Sequence, residues 1–225
     1  MTRYLTIRES PESTEVDSMS RRLRTLGFFI GGIILLAMGI LTTGFLITKH
    51  DALKASGLLA ATTDLRVGRT TTEDVARILE PYRRYSDGLA FDKPGAKYEA
   101  FTFDNRWLAR LHLSSYRQFI VSLHFKNELL SEKIGVFSVD NHCRVEVSEE
   151  QRKQLPMGQD ADLAQGAHFA TIPPNYPHPI ETARIIDTDA YSEQGKRDDW
   201  AFDLGILSRI GDCTDARTLL PDGLK

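Results

Sequence analysis

Histidines and cysteines are the side chains of this sequence whose types could support metal or nucleophilic chemistry. His112 and His124 fall in segments with strand-like alternation, where two facing imidazoles could contribute to a metal site. No carboxylate stands at a spacing that would complete such a site, so we expect histidines on a polar face instead. Cys143 follows His142, but the surrounding V-D-N-H-C-R-V-E gives a thiolate no defined partner. We therefore predict no catalytic residue, no metal site and no cofactor.

The acidic segment DTDAYSEQGKRDD, from Asp187 to Asp199, superficially resembles a calcium-binding loop. Its sixth position is Ser192 where such a loop needs glycine, and its twelfth position is not glutamate. A solvated acidic loop is the prediction. The sequence also contains no G-x-S-x-G, P-loop, G-x-G-x-x-G or H-E-x-x-H motif. We expect a protein that is not an enzyme, although active sites assembled from distant residues leave that alternative open.

The two cysteines, Cys143 and Cys213, suggest one covalent feature. They are 70 positions apart and are the only cysteines of the chain. In an oxidising compartment they could form a disulfide. By restricting the unfolded chain, that bond would stabilise the fold by about 4 kcal/mol. Two separate buried thiols are the alternative.

Composition limits the classes of function. The chain has 225 residues, of which 41% are hydrophobic and 26% charged, as in an ordinary folded protein. Its net charge is −3, so no overall basic excess is present to hold nucleic acid. We therefore expect no nucleic-acid partner.

The segment LGFFIGGIILLAMGILTTGFLI, Leu26 to Ile47, contains 22 residues and no charged side chain. As a helix it is about 33 Å long, enough to cross the ~30 Å hydrocarbon layer of a bilayer. A soluble core helix seldom stays apolar on every face, and a cleaved signal peptide has an apolar run of only about 7–15 residues. We predict an uncleaved signal anchor, a single-pass transmembrane helix that contacts the lipid bilayer through residues 26–47.

Charges beside this segment predict its orientation. Three positive charges lie just before the segment, on Arg21, Arg22 and Arg24. After the segment, the positive charges of Lys49 and Lys54 are partly offset by the negative charge of an acidic residue between them. The positive-inside rule places the N-terminus in the cytoplasm and the C-terminal domain outside it, in the periplasm if the source is a Gram-negative bacterium.

Gly27 and Gly31 form a small-xxx-small pair within the apolar segment. Such a pair could let two membrane helices approach closely, so a homo-oligomer formed through the membrane helix is one interpretation, although not the favoured one. The alternative is that glycine is simply common in membrane helices.

The rest of the chain divides by composition. Residues 1–25 contain the cluster ESPESTEVDSMS, made mainly of Glu, Ser and Thr with one Pro, and few large apolar side chains, which predicts a flexible cytoplasmic tail. Residues 48–64 are interpreted as a connector. Residues 65–150 are predicted to form a helix-plus-sheet domain, and residues 151–225 a Pro-rich extension that wraps over the same domain.

The helix of this domain is predicted from its start and stop signals. Thr70 and Glu73 match the S/T-x-x-E capping box, and Pro81 ends the helical pattern. Between them, one apolar face carries Val75, Ile78 and Leu79.

The sheet is predicted from alternation with a period of two. Phe119, Val121, Leu123 and Phe125 line one face of their segment. Short turn-like connections imply an antiparallel meander with one face covered by the helix, hence an α+β fold. The predicted strands are KYEAFTFD, Trp107–Leu113, RQFIVSLHFK, EKIGVFSVD and CRVEVSE, with a further strand in WAFDLGILSRI.

A short helix followed by a strand meander resembles the SmpA/OmlA (BamE-like) family, which includes the small lipoprotein of the outer-membrane barrel-assembly machine and shares its topology with β-lactamase-inhibitor-like domains. The resemblance covers roughly residues 62–149. Glu80 stands where family members usually have glycine, and a spanning helix replaces their lipid anchor. The matched positions are Leu65, Val67, Gly68, Thr70, Val75, Leu79 and Pro81.

The resemblance implies a module that binds other proteins through a sheet face and loops. Together with the anchor, it predicts a single-pass membrane protein with an extracytoplasmic protein-binding or structural domain in a cell-envelope complex. The alternative is a membrane-tethered enzyme or small-ligand receptor with a pocket between the sheet and residues 152–199.

Overall fold

A computed structural model describes residues 12–93, 95–140, 143–151, 168–171, 181–188, 190–209 and 216–220. Side chains of residues 12–25, 91–93, 169, 171 and 217 are not described. The contacts divide the chain into two units, residues 1–44 and residues 45–225, and each is considered by itself.

The first long element is helix α1, Glu12–Thr63. It contains one segment, Leu26–Thr63, whose length and mean hydropathy of 2.3 are sufficient to cross a membrane. The helix begins well before residue 26, so the prediction of a flexible tail over residues 1–25 is wrong for residues 12–25. Once the apolar turns have formed, extending a helix costs little, and Glu, Met and Arg are good helix formers. The preceding residues lie outside the described ones.

Residues 45–63 of α1 belong to the second unit. Ala52, Ala55, Leu58 and Leu59 are buried, at spacings that place them on one face of the helix. The segment 48–64, expected to be a connector, is therefore mostly a core helix. The sequence interpretation allowed the helix to continue into this connector for a turn or two, and α1 continues to Thr63.

Helix α2, Thr72–Ile78, is capped by Thr71, one residue later than the predicted cap Thr70. The side chain of Thr71 accepts a hydrogen bond from the amide of Asp74 at 3.1 Å. Thr70 instead accepts from the amide of Arg66 at 2.9 Å. Three consecutive threonines made this register ambiguous. Val75 is buried, but Ile78 is exposed and does not belong to the buried face.

A 3₁₀ helix, Glu80–Tyr85, follows directly and carries Pro81 in its first turn. Strands β1 and β2 come next, Ser86–Lys93 and Ala96–Asp104. The remaining strands are β3 Arg117–Lys126, β4 Leu129–Val139, β5 Cys143–Glu150, β6 His168–Thr171 and β7 Thr182–Thr188.

These strands form one seven-stranded sheet in the order β1-β2-β3-β4-β5-β7-β6. Strands β1 to β5 are successive antiparallel neighbours, β7 pairs parallel to β5, and β6 pairs antiparallel to β7. The α+β class is confirmed. The sheet is mixed rather than wholly antiparallel, because the long connection after β5 allows β7 to join in the parallel direction.

Two predicted strands are wrong. Trp107–Leu113 instead contains helix α3, Arg106–Arg110, because the carboxylate of Asp104 binds the Arg106 amide at 3.0 Å and turns the chain at the end of β2. The segment WAFDLGILSRI contains a 3₁₀ helix, Leu204–Ser208, capped by Asp203. Helix α4, Glu193–Asp199, precedes it, and another 3₁₀ helix spans Ala216–Leu219.

The core lies on one face of the sheet. The predicted inward face of β3 is confirmed, since each of its four aromatic and aliphatic residues is at most 2% exposed. Trp200 and Phe202 cover Gly135 of β4, where an added Cβ would approach them within 3.2–3.3 Å. The Pro-rich part of the extension, with Pro156, Pro173, Pro174, Pro177 and Pro179, lies outside the described residues.

Candidate functional site

Four charged or titratable residues lie side by side across four neighbouring strands. In the sheet register Lys133 of β4 faces Glu149 of β5, Glu149 faces Asp187 of β7, and Asp187 faces His168 of β6. We call these four residues the charge row. Lys133, Glu149 and Asp187 are at most 3% exposed, which is rare for charged side chains that lack partners.

Helix α4 covers the charge row. Ser192 caps it by accepting a hydrogen bond from the amide of Gly195 at 3.0 Å. Lys196 and Asp199 are three residues apart and therefore on one face, and both are buried. The helix thus adds one positive and one negative side chain to the row beneath it.

One half of the site is a network of two lysines and two glutamates. The Nζ of Lys133 lies 2.8 Å from Oε2 of Glu149, and the Nζ of Lys196 lies 2.9 Å from Oε1 of the same carboxylate. Lys196 also contacts Glu193 at 3.4 Å. We call these four residues the Lys–Glu network, and its formal charges sum to zero.

Lys133 also holds the end of helix α1. Its Nζ donates to the carbonyl oxygens of Thr62 at 3.2 Å and Leu65 at 3.0 Å, which belong to the last turn of the helix and the residues after it. The Trp200 ring centre lies 5.1 Å from the same ammonium. Burial lowers the pKa of Lys133, while Glu149 opposes that shift.

The other half of the site is the His–Asp–Asp cluster, formed by His168, Asp187 and Asp199. Nδ1 of His168 lies 2.9 Å from Oδ1 of Asp187 and 3.1 Å from Oδ2 of Asp199. Candidate ligand atoms of all three residues lie within 4.8 Å of one another. Tyr191 stacks on the imidazole at 4.7 Å between ring centres. The cluster thus joins two carboxylates and one imidazole in a small volume.

The carboxylates of this cluster are strongly perturbed. Burial raises the pKa of Asp187 to about 7, with His168 opposing the shift and Asp199 adding to it. Burial also raises the pKa of Asp199, and His168 opposes that shift. A single Nδ1–H can satisfy only one carboxylate oxygen. Accordingly neither Oδ2 of Asp187 nor Oδ2 of Asp199 has a donor of its own among the described residues, and the two carboxyl groups can bond each other only when one is protonated.

Most residues singled out from the sequence lie away from this site. Gly27 and Gly31 are in the apolar part of α1, and a Cβ at either would meet no described atom within 4 Å. Arg21, Arg22 and Arg24 are helical, with side chains that are not described. Their predicted roles in helix association and topology stay predictions.

The structure does not test the predicted disulfide, but it does place the two histidines. Cys143 is buried at the start of β5, and Cys213 lies outside the described residues, so the disulfide stays a prediction. His112 is not in a strand but in a turn with φ of 54°, so it does not face His124 across the sheet. His124 instead stacks on Tyr98 at 6.0 Å.

The segment interpreted as a solvated acidic loop supplies the cluster that sequence reasoning missed. Asp187 is the next-to-last residue of β7 and Asp199 is the last residue of α4, and both are buried. One signal was present: the Lys196–Asp199 spacing after a Ser192 cap is typical of a short helix with a polar inner face.

Comparison with known proteins adds nothing to this description, because no family model, curated protein or solved structure matches the chain. Any function must therefore be argued from the geometry alone.

Proposed function

We propose that this chain is a single-pass membrane protein whose α+β domain lies outside the cytoplasm and binds another protein of the cell envelope. The observation that carries the proposal is the exposure of the apolar part of α1. Phe28, Phe29 and Ile30 are 82%, 69% and 50% exposed, and as consecutive residues they point about 100° apart around the helix. A soluble helix buries an apolar stripe, whereas a bilayer covers every face.

The orientation in this proposal comes from the arginines on the N-terminal side of the segment, which favour the cytoplasm. It places the sheet domain and both cysteines in an oxidising compartment. A cytosolic sheet domain would contradict the proposal.

We assign partner contact to a cleft between α2 and the edge of the sheet. Its volume is about 440 Å³, and Leu79, Phe101 and Phe125 form an apolar floor. Ile78 of α2 and Leu89 of β1 are 42% and 46% exposed near it. Exposed large apolar side chains around a concave surface are typical of binding sites.

A protein partner fits this surface because charges of both signs surround the apolar floor: Glu73, Glu80 and Glu99 with Arg83 and Lys97. Strand β1 is the edge strand, but its pairing with β2 is interrupted by two register shifts. Such irregularities disfavour strand addition, so we expect side-chain contacts. The resemblance to the SmpA/OmlA family is kept as part of this proposal, since helix-then-strand order supports it.

The second candidate is a membrane-tethered enzyme or small-ligand receptor. The strongly shifted pKa of buried Asp187 favours it, because such shifts concentrate at functional sites. The pocket predicted between the sheet and residues 152–199 involves residues 152–167 and 172–180, which lie outside the described ones.

The anchor is tested by washing membranes with alkaline carbonate. The full chain is expected to stay in the pellet, and a variant with three leucines of residues 26–47 changed to lysine should be released. Orientation is tested with a reporter active only outside the cytoplasm, fused after residue 225. Release of the wild-type chain, or an inactive fusion produced at normal level, contradicts the proposal.

The binding surface is tested with a photoreactive amino acid placed at Leu89 in cells. Trp107 is a matched control, since it too is 46% exposed and it lies on α3, away from the cleft. Leu89 is expected to give a discrete crosslink to one envelope protein that Trp107 does not give. Equal crosslinking from both positions, or none from Leu89, refutes the assignment.

A further inference from the structure

The His–Asp–Asp cluster has the donor set of a metal site, although the sequence predicted none. We propose that His168, Asp187 and Asp199 bind one divalent transition-metal ion of the Zn²⁺ or Mn²⁺ type. Imidazole nitrogen and carboxylate oxygen are ligands that these ions accept, whereas Ca²⁺ and Mg²⁺ prefer oxygen alone. This inference does not depend on the membrane anchor or on the partner cleft.

The spacing of the ligand atoms is the first argument. Ligands bound to Zn²⁺ at about 2.0–2.1 Å in a tetrahedron are separated from one another by roughly 3.3 Å. Nδ1 of His168 lies 2.9 Å and 3.1 Å from the nearest oxygens of Asp187 and Asp199. Small movements of these side chains would therefore bring the three ligands around one ion.

The unsatisfied oxygens are the second argument. Asp187 is 0% exposed and Asp199 is 4% exposed, and each has one buried oxygen without a donor of its own in the described chain. A buried carboxylate oxygen that lacks a donor is costly, and two such groups side by side repel each other. A dication between them would satisfy both.

The distribution of charge is the third argument. The nearest ammonium on the same helix belongs to Lys196, and it is already bound to Glu149 and Glu193. The Lys–Glu network is neutral, so it leaves no ammonium to balance the two aspartates, whose fully ionised, metal-binding form carries a charge of −2 opposite an imidazole. One dication balances that charge without disturbing the neighbouring network.

Access to the cluster is provided by His168, whose side chain is 27% exposed. Three protein ligands leave a coordination position for water, as in zinc sites that stay open on one side. Tyr191, stacked on the imidazole, restricts rotation of the ring and holds Nδ1 toward the carboxylates.

The experiment measures metal binding to the full chain in detergent after chelator treatment and dialysis. Calorimetric titration with ZnCl₂ and electron paramagnetic resonance with MnCl₂ are expected to show one ion bound per chain. Asp187→Asn and His168→Gln should each weaken that binding at least 100-fold. CaCl₂ and MgCl₂ should give no comparable binding.

His124→Gln is the matched control, because it removes a partly buried sheet histidine outside the cluster. It is expected to bind metal like the wild type. Asp187→Asn removes a buried carboxylate, so its metal-free melting temperature should be at least that of the wild type, which excludes misfolding as the cause of lost binding. Absence of Zn²⁺ and Mn²⁺ binding by the wild type, or unchanged binding by both cluster variants, overturns the proposal.

Discussion

Replacing Lys133 with methionine is the sharpest test of the buried charge row. The ammonium of Lys133 bonds Glu149 at 2.8 Å and the carbonyl oxygens of Leu65 and Thr62 at 3.0 and 3.2 Å. Methionine keeps most of the aliphatic packing against Trp200, so the cavity left behind is small. The loss is therefore mainly electrostatic.

The magnitude follows from those three bonds. Two carbonyl groups that lose a donor cost about 1 kcal/mol each, and a charge-assisted bond contributes about 1.5–3 kcal/mol. In this variant Glu149 remains paired with Lys196 at 2.9 Å, so the free-energy cost of leaving its carboxylate buried is limited. We expect Lys133→Met to lower the free energy of unfolding by about 3–4 kcal/mol, within the range of ~3–5 kcal/mol for breaking a buried pair.

Glu149→Gln should cost more than Lys133→Met. It leaves two buried ammonium groups near each other without the carboxylate between them, and their mutual repulsion adds to the lost bonds. We expect about 5 kcal/mol. The test of the network is which variant loses more unfolding free energy, rather than the size of either loss alone.

The assay is urea unfolding of the detergent-solubilised chain, followed by tryptophan emission. The chain has two tryptophans, so a Trp107→Phe background makes buried Trp200 the only reporter. Lys97→Met is the control, because Lys97 pairs with Glu128 near the surface and should cost less than about 1 kcal/mol. A loss below about 1 kcal/mol for Lys133→Met would refute the reasoning.

Three further predictions concern other parts of the domain. Asn105→Ala should cost about 2–3 kcal/mol in urea unfolding, because buried Asn105 donates to Ser115 O at 2.9 Å and accepts from the Arg117 amide at 2.7 Å. Gly68→Ala should cost roughly 1–2 kcal/mol and more than Gly88→Ala, since Gly68 has a φ of +79° and an added Cβ would also collide with the side-chain amide of Gln151. Glu132→Gln should stabilise the fold at pH 8 but not at pH 4, as measured by melting temperature. Burial raises the pKa of Glu132, with Glu146 adding to the shift and Glu150 opposing it, and burial together with Glu132 raises the pKa of Glu150, the facing residue in β5.

The sign of the last prediction follows from linkage. A carboxyl group whose pKa is raised in the folded state binds more protons there, so its stabilising contribution is complete at low pH and is lost as the pH rises through the raised pKa. Equal wild-type and Glu132→Gln melting temperatures at pH 8 would contradict it. For Gly68, the control is Gly88→Ala, which has a similar φ of +86° but open space for a Cβ. For Asn105, a cost below about 1 kcal/mol would contradict the hydrogen-bond argument.

Local pattern determined much of the fold. Alternation along Phe119 to Phe125 predicted the buried face of β3, and the turn-like Asn127-Glu128 pair indeed lies between β3 and β4 with positive φ at both residues. The charge-free run after residue 25 predicted the apolar helix. These features depend on residues close together in sequence, so hydrophobic periodicity and the structural preferences of each residue type predict them directly.

The spacing of apolar residues gave a wrong prediction where the same residues fit both the helical period and the strand period. Trp107, Leu108 and Leu111 fit a strand or a helix, and the choice was made by Asp104 binding the Arg106 amide. The capping register among Thr70, Thr71 and Thr72 was likewise decided by which hydroxyl reached an amide in the folded chain.

By itself the sequence determined the long apolar helix, the α+β class and the inward face of β3. Only the tertiary structure decided that Lys133, Glu149, Asp187 and His168 form one row. That row needs β7 to pair parallel to β5 and β6 to pair with β7, contacts between residues far apart in the chain. No local periodicity predicts such a pairing, because it is stabilised by backbone hydrogen bonds between strands and by burial of apolar residues distant in sequence, such as Val147 and Ile185, rather than by the preference of any single segment.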